Sequence, residues 1–296
     1  MYALHLSFAL RNVHQSFARG DAGRARRHRS VGQPGVAIAP ACLMATVLSA
    51  GLRTAIGALP AVPRIRDVRV PRRTLGLGVY GLFGFHFFLF VALRNAPPVE
   101  ANLINYLWPL LIVFLAPVLL EGYRLRAHHV AGAVMGFAGA GLLVGPDLRG
   151  GHFAVGYVYA LVSALIWSSY SLWTKRVPPF ATTAIGLFCM MASVLAFAFH
   201  WALEPRFTPP VGDLAYLLAM GLGPMGAAFF LWDYALKRGD PRLIATLAYL
   251  TPVLSTALLI ATGRGAFSPR IGVAAALVVG GAALAARAKR ERQKTA

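Results

Sequence analysis

The sequence predicts an all-α polytopic membrane protein, a class indicated by composition, by a series of long apolar segments and by an internal repeat. Of the 296 residues, 57% are hydrophobic and 13% are charged, and the mean hydropathy is +0.61. A water-soluble domain of this length rarely reaches such values. Most of the chain is therefore expected to lie inside a lipid bilayer.

Apolar segments long enough to cross a bilayer follow one another along most of the chain. A helix needs about 20 apolar residues to cross the hydrocarbon core. Eight segments meet this requirement, at residues 74–94, 99–120, 129–145, 153–174, 180–203, 213–236, 242–262 and 270–286. A ninth segment, at 36–59, is weaker because it contains Arg53. A bundle of membrane helices joined by short loops is the predicted architecture.

Two parts of the chain resemble each other at a separation of 143 residues. Without a gap, 11 of the 45 positions from Gly78 to Gly122 are identical to those from Gly221 to Gly265. The identities include the motif Tyr-Leu-x-Pro, which occurs at 106–109 and again at 249–252. Matching prolines inside long apolar runs are hard to ascribe to composition alone. We interpret the match as a duplication, the usual origin of transporters whose site lies between two related halves.

Basic residues are distributed unevenly between the two sides that alternating loops would define. Seventeen lie on one side, namely Arg64, Arg66, Arg69, Arg72, Arg73, Arg124, Arg126, Lys175, Arg176, Lys237, Arg238, Arg242, Arg287, Lys289, Arg290, Arg292 and Lys294. Five lie on the other, namely Arg94, Arg149, Arg206, Arg264 and Arg270. Because basic loops stay in the cytoplasm, the C-terminus is predicted to be cytoplasmic. This placement explains the formal charge of +19 without a nucleic-acid partner.

The N-terminal region does not fit the repeat. Symmetry would place a first helix near residues 10–31, but Arg24, Arg26, Arg27 and Arg29 lie there, and each arginine costs about 2.5–3.5 kcal/mol at a span centre. We expect residues 1–35 to be a basic segment that does not cross the membrane. An altered or misread N-terminus, a nine-helix form and a surface-lying segment remain open. The predicted domains are then this segment, an incomplete first repeat (36–147), a second repeat (148–287) and a basic tail (288–296).

Polar and aromatic residues inside the spans mark a candidate pathway. His86 is the ionisable residue placed deepest in a predicted span, and such a group is a functional candidate by default, although a hydrogen bond to a neighbouring carbonyl would satisfy it equally well. Trp167 can stack on a flat molecule, and the nearby hydroxyl of Ser171 can bond its polar end. The predicted substrate-binding residues are His86, Asn102, Tyr106, Trp108, Trp167, Ser171 and Tyr249.

The repeated Tyr-Leu-x-Pro motif adds a second argument for this pathway. Asn102 and Tyr106 share one helix face, and an amide side chain in hydrocarbon must find a partner, so this face should point inward. Pro109 and Pro252 are predicted to be kinks that release a backbone carbonyl. Tyr249, the equivalent of Tyr106, should approach the axis between the repeats.

Other residue patterns limit the mechanism. No carboxylate is expected at the centre of a span, and Asp233 with Lys237 should form a surface pair four residues apart. The two cysteines, Cys42 and Cys189, lie in apolar stretches and indicate packing rather than a disulfide or metal site. We expect no cofactor, no metal and no ATP-driven step. Transport down a gradient by alternating access is the predicted mechanism, with His86 as the candidate for proton coupling in the alternative of a proton-coupled antiporter.

Two repeats with short loops resemble the drug/metabolite transporter superfamily, EamA type, over about residues 64–290. The segments EANLINYLWPLL (Glu100 to Leu111) and IATLAYLTPVLST (Ile244 to Thr256) are similar to bacterial aromatic amino acid exporters of the YddG type. The resemblance implies ten helices in two inverted five-helix repeats, with the first helix absent or degenerate in this chain. It also implies a multi-pass protein of the bacterial inner membrane, a monomer or weak homodimer, that exports aromatic or other hydrophobic amino acids and is not an enzyme.

Two other functions remain open at this point. The first is an EamA-type exporter of other metabolites or cationic drugs. The second, from a different class, is a membrane-embedded enzyme, which would need a His, Ser or carboxylate constellation on facing helices, and the sequence contains no such pattern. A membrane scaffold is disfavoured because polar faces inside a bilayer are costly without a pathway.

Overall fold

The computed structural model describes residues 70–144, 154–203, 221, 223–261 and 268–294. All regular secondary structure in these ranges is helical, which confirms the all-α class. The predicted basic segment 1–35, the weaker span 36–59 and the first part of the span 213–236 lie outside the described residues.

The described residues form eleven α-helices, most of them apolar. Their bounds are α1 (Arg72–Val79), α2 (Phe85–Asn95), α3 (Pro98–Asn105), α4 (Trp108–Leu119), α5 (Ala127–Val144), α6 (Val155–Trp173), α7 (Ile185–Leu203), α8 (Ala228–Arg238), α9 (Pro241–Ala248), α10 (Leu250–Ala261) and α11 (Pro269–Lys294). Four stretches are long and apolar enough to cross a membrane: Arg72–Asn95, Glu100–Leu119, Val155–Trp173 and Thr182–Phe199. Several helices of this kind identify a multi-pass membrane protein.

Two of the apolar helical stretches are interrupted at a tyrosine. Helix α3 ends before Tyr106, which has φ −64° and ψ 0°, and helix α9 ends before Tyr249, with φ −67° and ψ −13°. Pro109 and Pro252 follow each interruption and lie in the first turn of the next helix, where a missing backbone N–H leaves no hydrogen bond broken. Each pair of helices therefore meets at a tyrosine.

One succession of elements occurs twice in the described chain. A five-residue π-helical turn, an eleven-residue helix and an eight-residue helix come in this order at Tyr80–Gly84, α2 and α3. The same order and lengths occur at Gly223–Ala227, α8 and α9. The corresponding bounds are separated by 143 residues, the offset at which the sequence matches itself.

Helices α5 and α11 approach each other so closely that side chains are excluded between them. A Cβ atom added to Gly132 would lie 2.6 Å from the carbonyl oxygen of Gly281, and one added to Gly281 would lie 2.5 Å from that of Gly132. Gly139 faces the carbonyl oxygen of Ala274 in the same way, at 2.7 Å. Small residues of this kind let membrane helices pack backbone to backbone. Among the described residues, the largest cluster of buried apolar side chains lies among α2, α6, α7 and α8 and is rich in aromatic rings. A smaller aliphatic cluster joins α4, α6 and α9.

Candidate functional site

Three tryptophans from three helices meet inside the bundle. Trp108 at the start of α4 stands edge-on to Trp232 of α8, with ring centroids 5.2 Å apart, and edge-on to Trp167 of α6 at 6.4 Å. Trp167 and Trp232 are 5.9 Å apart at a shallower angle of 34°. We call these three residues the tryptophan cluster. Offset and edge-to-face arrangements at such distances are the favourable ones for aromatic rings.

Two phenylalanines and a histidine extend this cluster toward α2 and α8. Trp167 lies 5.0 Å from the ring of Phe85 and 5.6 Å from that of Phe229. The ring of His86 stands edge-on to both phenylalanines, at 4.9 Å and 5.5 Å. His86 and Phe229 each come two residues after a π-helical turn. Such turns are frequent at functional sites.

His86 is buried and held by its own helix. Its Nδ1 lies 2.7 Å from the carbonyl oxygen of Leu82. A carbonyl can only accept, so Nδ1 carries the proton, and in the neutral ring Nε2 is the acceptor nitrogen. The histidine therefore has a fixed tautomer and a fixed orientation among aromatic rings, which is how a single polar group is presented in an apolar site.

Ser171 connects two members of the tryptophan cluster. Its hydroxyl donates to the carbonyl oxygen of Trp167, one turn earlier in α6, at 2.7 Å. The same oxygen accepts the indole N–H of Trp232 at 3.1 Å. Ser171 is fully buried, with 0% of its surface exposed. Both hydrogen bonds of this hydroxyl are therefore made within the protein.

The two tyrosines of the repeated motif form a separate group. The hydroxyl of Tyr249 donates to the backbone carbonyl of Tyr106 at 3.0 Å, and both side chains are buried. They pack with Phe137 and Ala140 of α5 and with Val278 of α11. Tyr106 precedes Trp108 by two residues, so the tyrosine pair adjoins the tryptophan cluster through the α3–α4 interruption.

The predicted site residues thus fall into two adjacent groups. The contacts join His86, Trp108, Trp167 and Ser171 around the tryptophan cluster, through Phe85, Phe229 and Trp232. Tyr106 and Tyr249 form the tyrosine pair. Asn102 is half-buried, and its carbonyl accepts the amide of Tyr106 at 2.9 Å. Among the described residues, the side chain of Asn102 makes no hydrogen bond to the tryptophan cluster.

Sequence reasoning missed four residues of this region, Phe85 on α2 and three residues on α8. Trp232 and Phe229 complete the aromatic surroundings of Trp167, but an aromatic residue in an apolar span gives no signal of which side it faces. Asp233 forms the predicted pair with Lys237, but its predicted surface position is wrong, because its side chain is only 4% exposed. Lys237 reaches it at 2.6 Å and also lies 3.9 Å above the ring of Phe180. A buried carboxylate needs such a partner, and the spacing of four residues alone does not indicate burial.

A second charged network ties the loop at 120–126 to the start of α9. The guanidinium of Arg242 bonds both carboxylate oxygens of Asp240, at 3.0 Å and 2.6 Å, and donates to the carbonyl of Arg124 at 2.7 Å. Asp240 also caps α9 by accepting the amide of Arg242. Burial alone would raise the pKa of Asp240, but the hydrogen bonds and charge of Arg242 hold it below its ordinary value.

Lys175 belongs to the same network. Its ammonium donates to the carbonyl of Gly239 at 3.2 Å. Partial burial lowers the pKa of Lys175, against the opposing effect of Asp240. The loops after α4, α6 and α8 are therefore joined at one end of the bundle. Within the described ranges, no three His, Cys, Asp or Glu side chains are grouped so that they could hold a metal ion.

Several known proteins with similar sequences are named as amino acid exporters. The EamA-like transporter family matches twice, at residues 34–145 and 154–287. The aromatic amino acid exporter YddG of Ancylobacter novellus is 43% identical over 242 residues, 80% of this chain and 82% of that protein. YddG of Escherichia coli is 26% identical over 66% of this chain and 70% of its own. A probable terminal-alkyne amino-acid exporter of Streptantibioticus cattleyicolor is 28% identical over 70% of this chain and 69% of its own.

A solved structure is also closely similar. One crystal structure superposes with a TM-score of 0.77 at 41% sequence identity, covering 87% of this chain and 90% of that chain. Identity and coverage at this level extend the likeness from the fold to the family. With two family matches that together span most of its length, the chain belongs to the EamA-like transporter family, within the drug/metabolite transporter superfamily.

Proposed function

We propose that this protein exports aromatic or other hydrophobic amino acids across the bacterial inner membrane. The observation that carries the proposal is the tryptophan cluster beside His86, an apolar aromatic environment with a single oriented imidazole. Such an environment suits a flat side chain attached to a small polar group. The names of relatives as exporters of amino acids support the same substrate class and favour a transporter over an enzyme.

His86, Trp108 and Trp167 are the proposed contacts of the substrate side chain, with Asn102 and the tyrosine pair of Tyr106 and Tyr249 next to them. Ser171 belongs to the site because its hydroxyl oxygen accepts the indole N–H of Trp232. Pro109 and Pro252 would act as kinks where α3 meets α4 and α9 meets α10. Backbone groups left without helical partners near such interruptions are tolerated in membranes where they line a pathway.

Alternating access between two inverted repeats is the proposed mechanism. Two pairs of residues separated by 143 positions touch each other, His86 with Phe229 and Tyr106 with Tyr249. In a two-fold arrangement, equivalent residues can touch only close to the axis, so both contacts support an axis that passes beside the tryptophan cluster. Rocking of one repeat against the other would then open the site to each side in turn.

The basic asymmetry supports an orientation in which the tail and the loops after α4, α6 and α8 face the cytoplasm. The substrate is proposed to move down its own concentration gradient. The buried carboxylate of Asp233 is matched by Lys237, so its charge is already compensated within the protein.

Efflux from proteoliposomes tests the proposal. Purified protein is reconstituted into vesicles loaded with radiolabelled phenylalanine, tryptophan, leucine, alanine or a cationic drug, and release is compared with that from empty liposomes. We expect protein-dependent release of the aromatic amino acids without ATP or an imposed proton gradient. Release of the cationic drug alone, with none of the amino acids, would replace this function with the drug exporter alternative.

A further inference from the structure

Trp232 closes the aromatic site on a side that the sequence does not reveal. The rings of Trp108 and Trp167 are nearly perpendicular, and Trp232 contacts both of them from α8. Each indole comes from a different helix, so the three rings enclose a corner of the bundle. Trp232 is partly exposed, whereas Trp167 is almost fully buried. Of these two rings, Trp232 therefore has the more accessible surface.

The orientation of Trp232 is set by one hydrogen bond. An indole has a single donor, Nε1–H, and in Trp232 it is directed to the Oγ of Ser171 at 3.1 Å. The hydroxyl of Ser171 cannot rotate away freely, because its own proton is donated to the carbonyl of Trp167 at 2.7 Å. Ser171 therefore fixes the ring of Trp232 relative to the helix that carries Trp167.

We propose that Trp232 is a specificity-determining wall of the substrate site, selecting aromatic side chains, and that Ser171 is a positioning residue that acts through it. The inference rests on the proposed function as an amino acid exporter. A preoriented ring stacks on an aromatic side chain without the entropic cost of ordering itself. Because stacking requires a π system in the substrate, its loss should affect phenylalanine but not a saturated analogue of the same bulk.

The chain offers a close control for Ser171. Ser168 lies in the same helix, is equally buried at 0% exposure, and donates to carbonyls of its own helix, that of Ala164 at 2.8 Å. It accepts no indole N–H among the described residues. Ser168→Ala and Ser171→Ala thus remove the same atom from the same kind of environment, and the hydrogen bond to Trp232 is lost in Ser171→Ala alone.

The experiment measures efflux of radiolabelled phenylalanine from proteoliposomes and its inhibition by unlabelled phenylalanine or cyclohexylalanine. In Ser171→Ala and Trp232→Ala, the half-inhibiting concentration of phenylalanine should rise about 2- to 10-fold, the range expected for a lost aromatic pair. That of cyclohexylalanine should change less than 2-fold. Ser168→Ala should resemble the wild type, and Ser171→Thr, which keeps the hydroxyl, should restore phenylalanine recognition.

A double-mutant cycle separates positioning from general loosening of the helix. In a Trp232→Phe background the indole donor is gone, so adding Ser171→Ala should cause no further loss of phenylalanine recognition. Additive losses, or equal losses for phenylalanine and cyclohexylalanine, would overturn the inference while leaving the exporter function intact. If the wild-type protein releases no amino acid at all, the proposed function fails and the inference with it. Melting temperatures in detergent identify variants that are merely unfolded, and Trp232→Phe, which removes the indole donor of the same hydrogen bond, keeps the test decisive if Ser171→Ala is one of them.

Discussion

The hydroxyl of Tyr249 donates a hydrogen bond to the backbone carbonyl of Tyr106, its counterpart 143 residues earlier in the chain. Both residues stand where an apolar helix is interrupted. One interruption therefore supplies the acceptor and the other supplies the donor. The ring of Tyr249 fits against α5 because Gly136 has no side chain; a Cβ atom there would lie 2.5 Å from the ring. The bond joins the α9–α10 interruption to the α3–α4 interruption, next to the tryptophan cluster.

Tyr249→Phe should destabilise the protein by about 1–3 kcal/mol, the usual cost of removing one partner of a buried hydrogen bond. The ring and its packing are kept, so the loss of stability measures the contribution of the hydroxyl group. Tyr106→Phe is the matched control, because Tyr106 takes part in this bond through its main chain. Thermal unfolding in detergent should show a lower midpoint for Tyr249→Phe than for Tyr106→Phe. Identical midpoints for the two variants would mean that the bond contributes nothing measurable.

Gly281→Ala and Gly280→Ala should differ in their effect on thermal stability, although the two residues are adjacent. A Cβ atom at Gly281 meets the backbone of α5 at 2.5 Å, whereas one at Gly280 meets the flexible end of Met135 at 3.4 Å. Overpacking costs about 1–3 kcal/mol, which outweighs or cancels the gain of about 1 kcal/mol from replacing glycine in a helix. Gly281→Ala should therefore lower the melting temperature relative to Gly280→Ala. The reverse order would show that α5 and α11 can separate without cost.

The sequence predicted the helices well and the interior poorly, for reasons visible in particular residues. A membrane-spanning helix is recognised from the length and apolarity of its own segment, whatever helices pack against it. The all-helical structure could therefore be predicted from the sequence. The repeated motif placed Tyr106 and Tyr249 as counterparts. Trp232 was missed because apolar and aromatic residues occupy both the buried face and the lipid face of a membrane helix. Asp233 was misplaced because a spacing of four residues from Lys237 fits a surface pair as well as a buried one. Only the packing of α8 against α6 distinguishes them.

Lys237→Met should destabilise the protein more than Asp233→Asn. The first change leaves a carboxylate that is 4% exposed without its cation, whereas the second leaves an ammonium that is 30% exposed and can be solvated. Breaking a buried pair costs about 3–5 kcal/mol; water near Lys237 should reduce this to about 1–3 kcal/mol. The double variant Asp233→Asn with Lys237→Met should recover much of the loss. A double variant as unstable as Lys237→Met alone would indicate that Lys237 acts through Phe180 instead.

Single cysteines should report the proposed orientation of the loops. In a chain with Cys42 and Cys189 replaced by alanine, Arg126→Cys and Arg206→Cys are labelled in intact cells with a membrane-impermeant thiol reagent. The basic asymmetry predicts that Arg206→Cys reacts from outside and that Arg126→Cys reacts only after the membrane is opened. Arg206 lies outside the described residues, so this experiment also extends the topology beyond them. Reaction of both cysteines from the same side would refute the inverted arrangement.

Trp167→Ala should weaken transport of aromatic amino acids more than transport of alanine. Trp167 contacts Phe85, Phe229 and both other tryptophans, and an aromatic substrate would add one more ring to this group. A ring pair contributes about 0.5–1.5 kcal/mol beyond burial, so the KM for phenylalanine should rise about 2- to 10-fold more than that for alanine.

Trp173→Ala is the matched control for this change. Its ring is 37% exposed at the end of the same helix, outside the cluster, and its removal should leave the ratio of the two KM values unchanged. Because Trp167 is also a core residue, expression and melting temperature must be compared in parallel, and Trp167→Phe should keep most of the selectivity by retaining a ring. Equal losses for phenylalanine and alanine in a folded Trp167→Ala protein would assign Trp167 to helix packing and remove it from the substrate site.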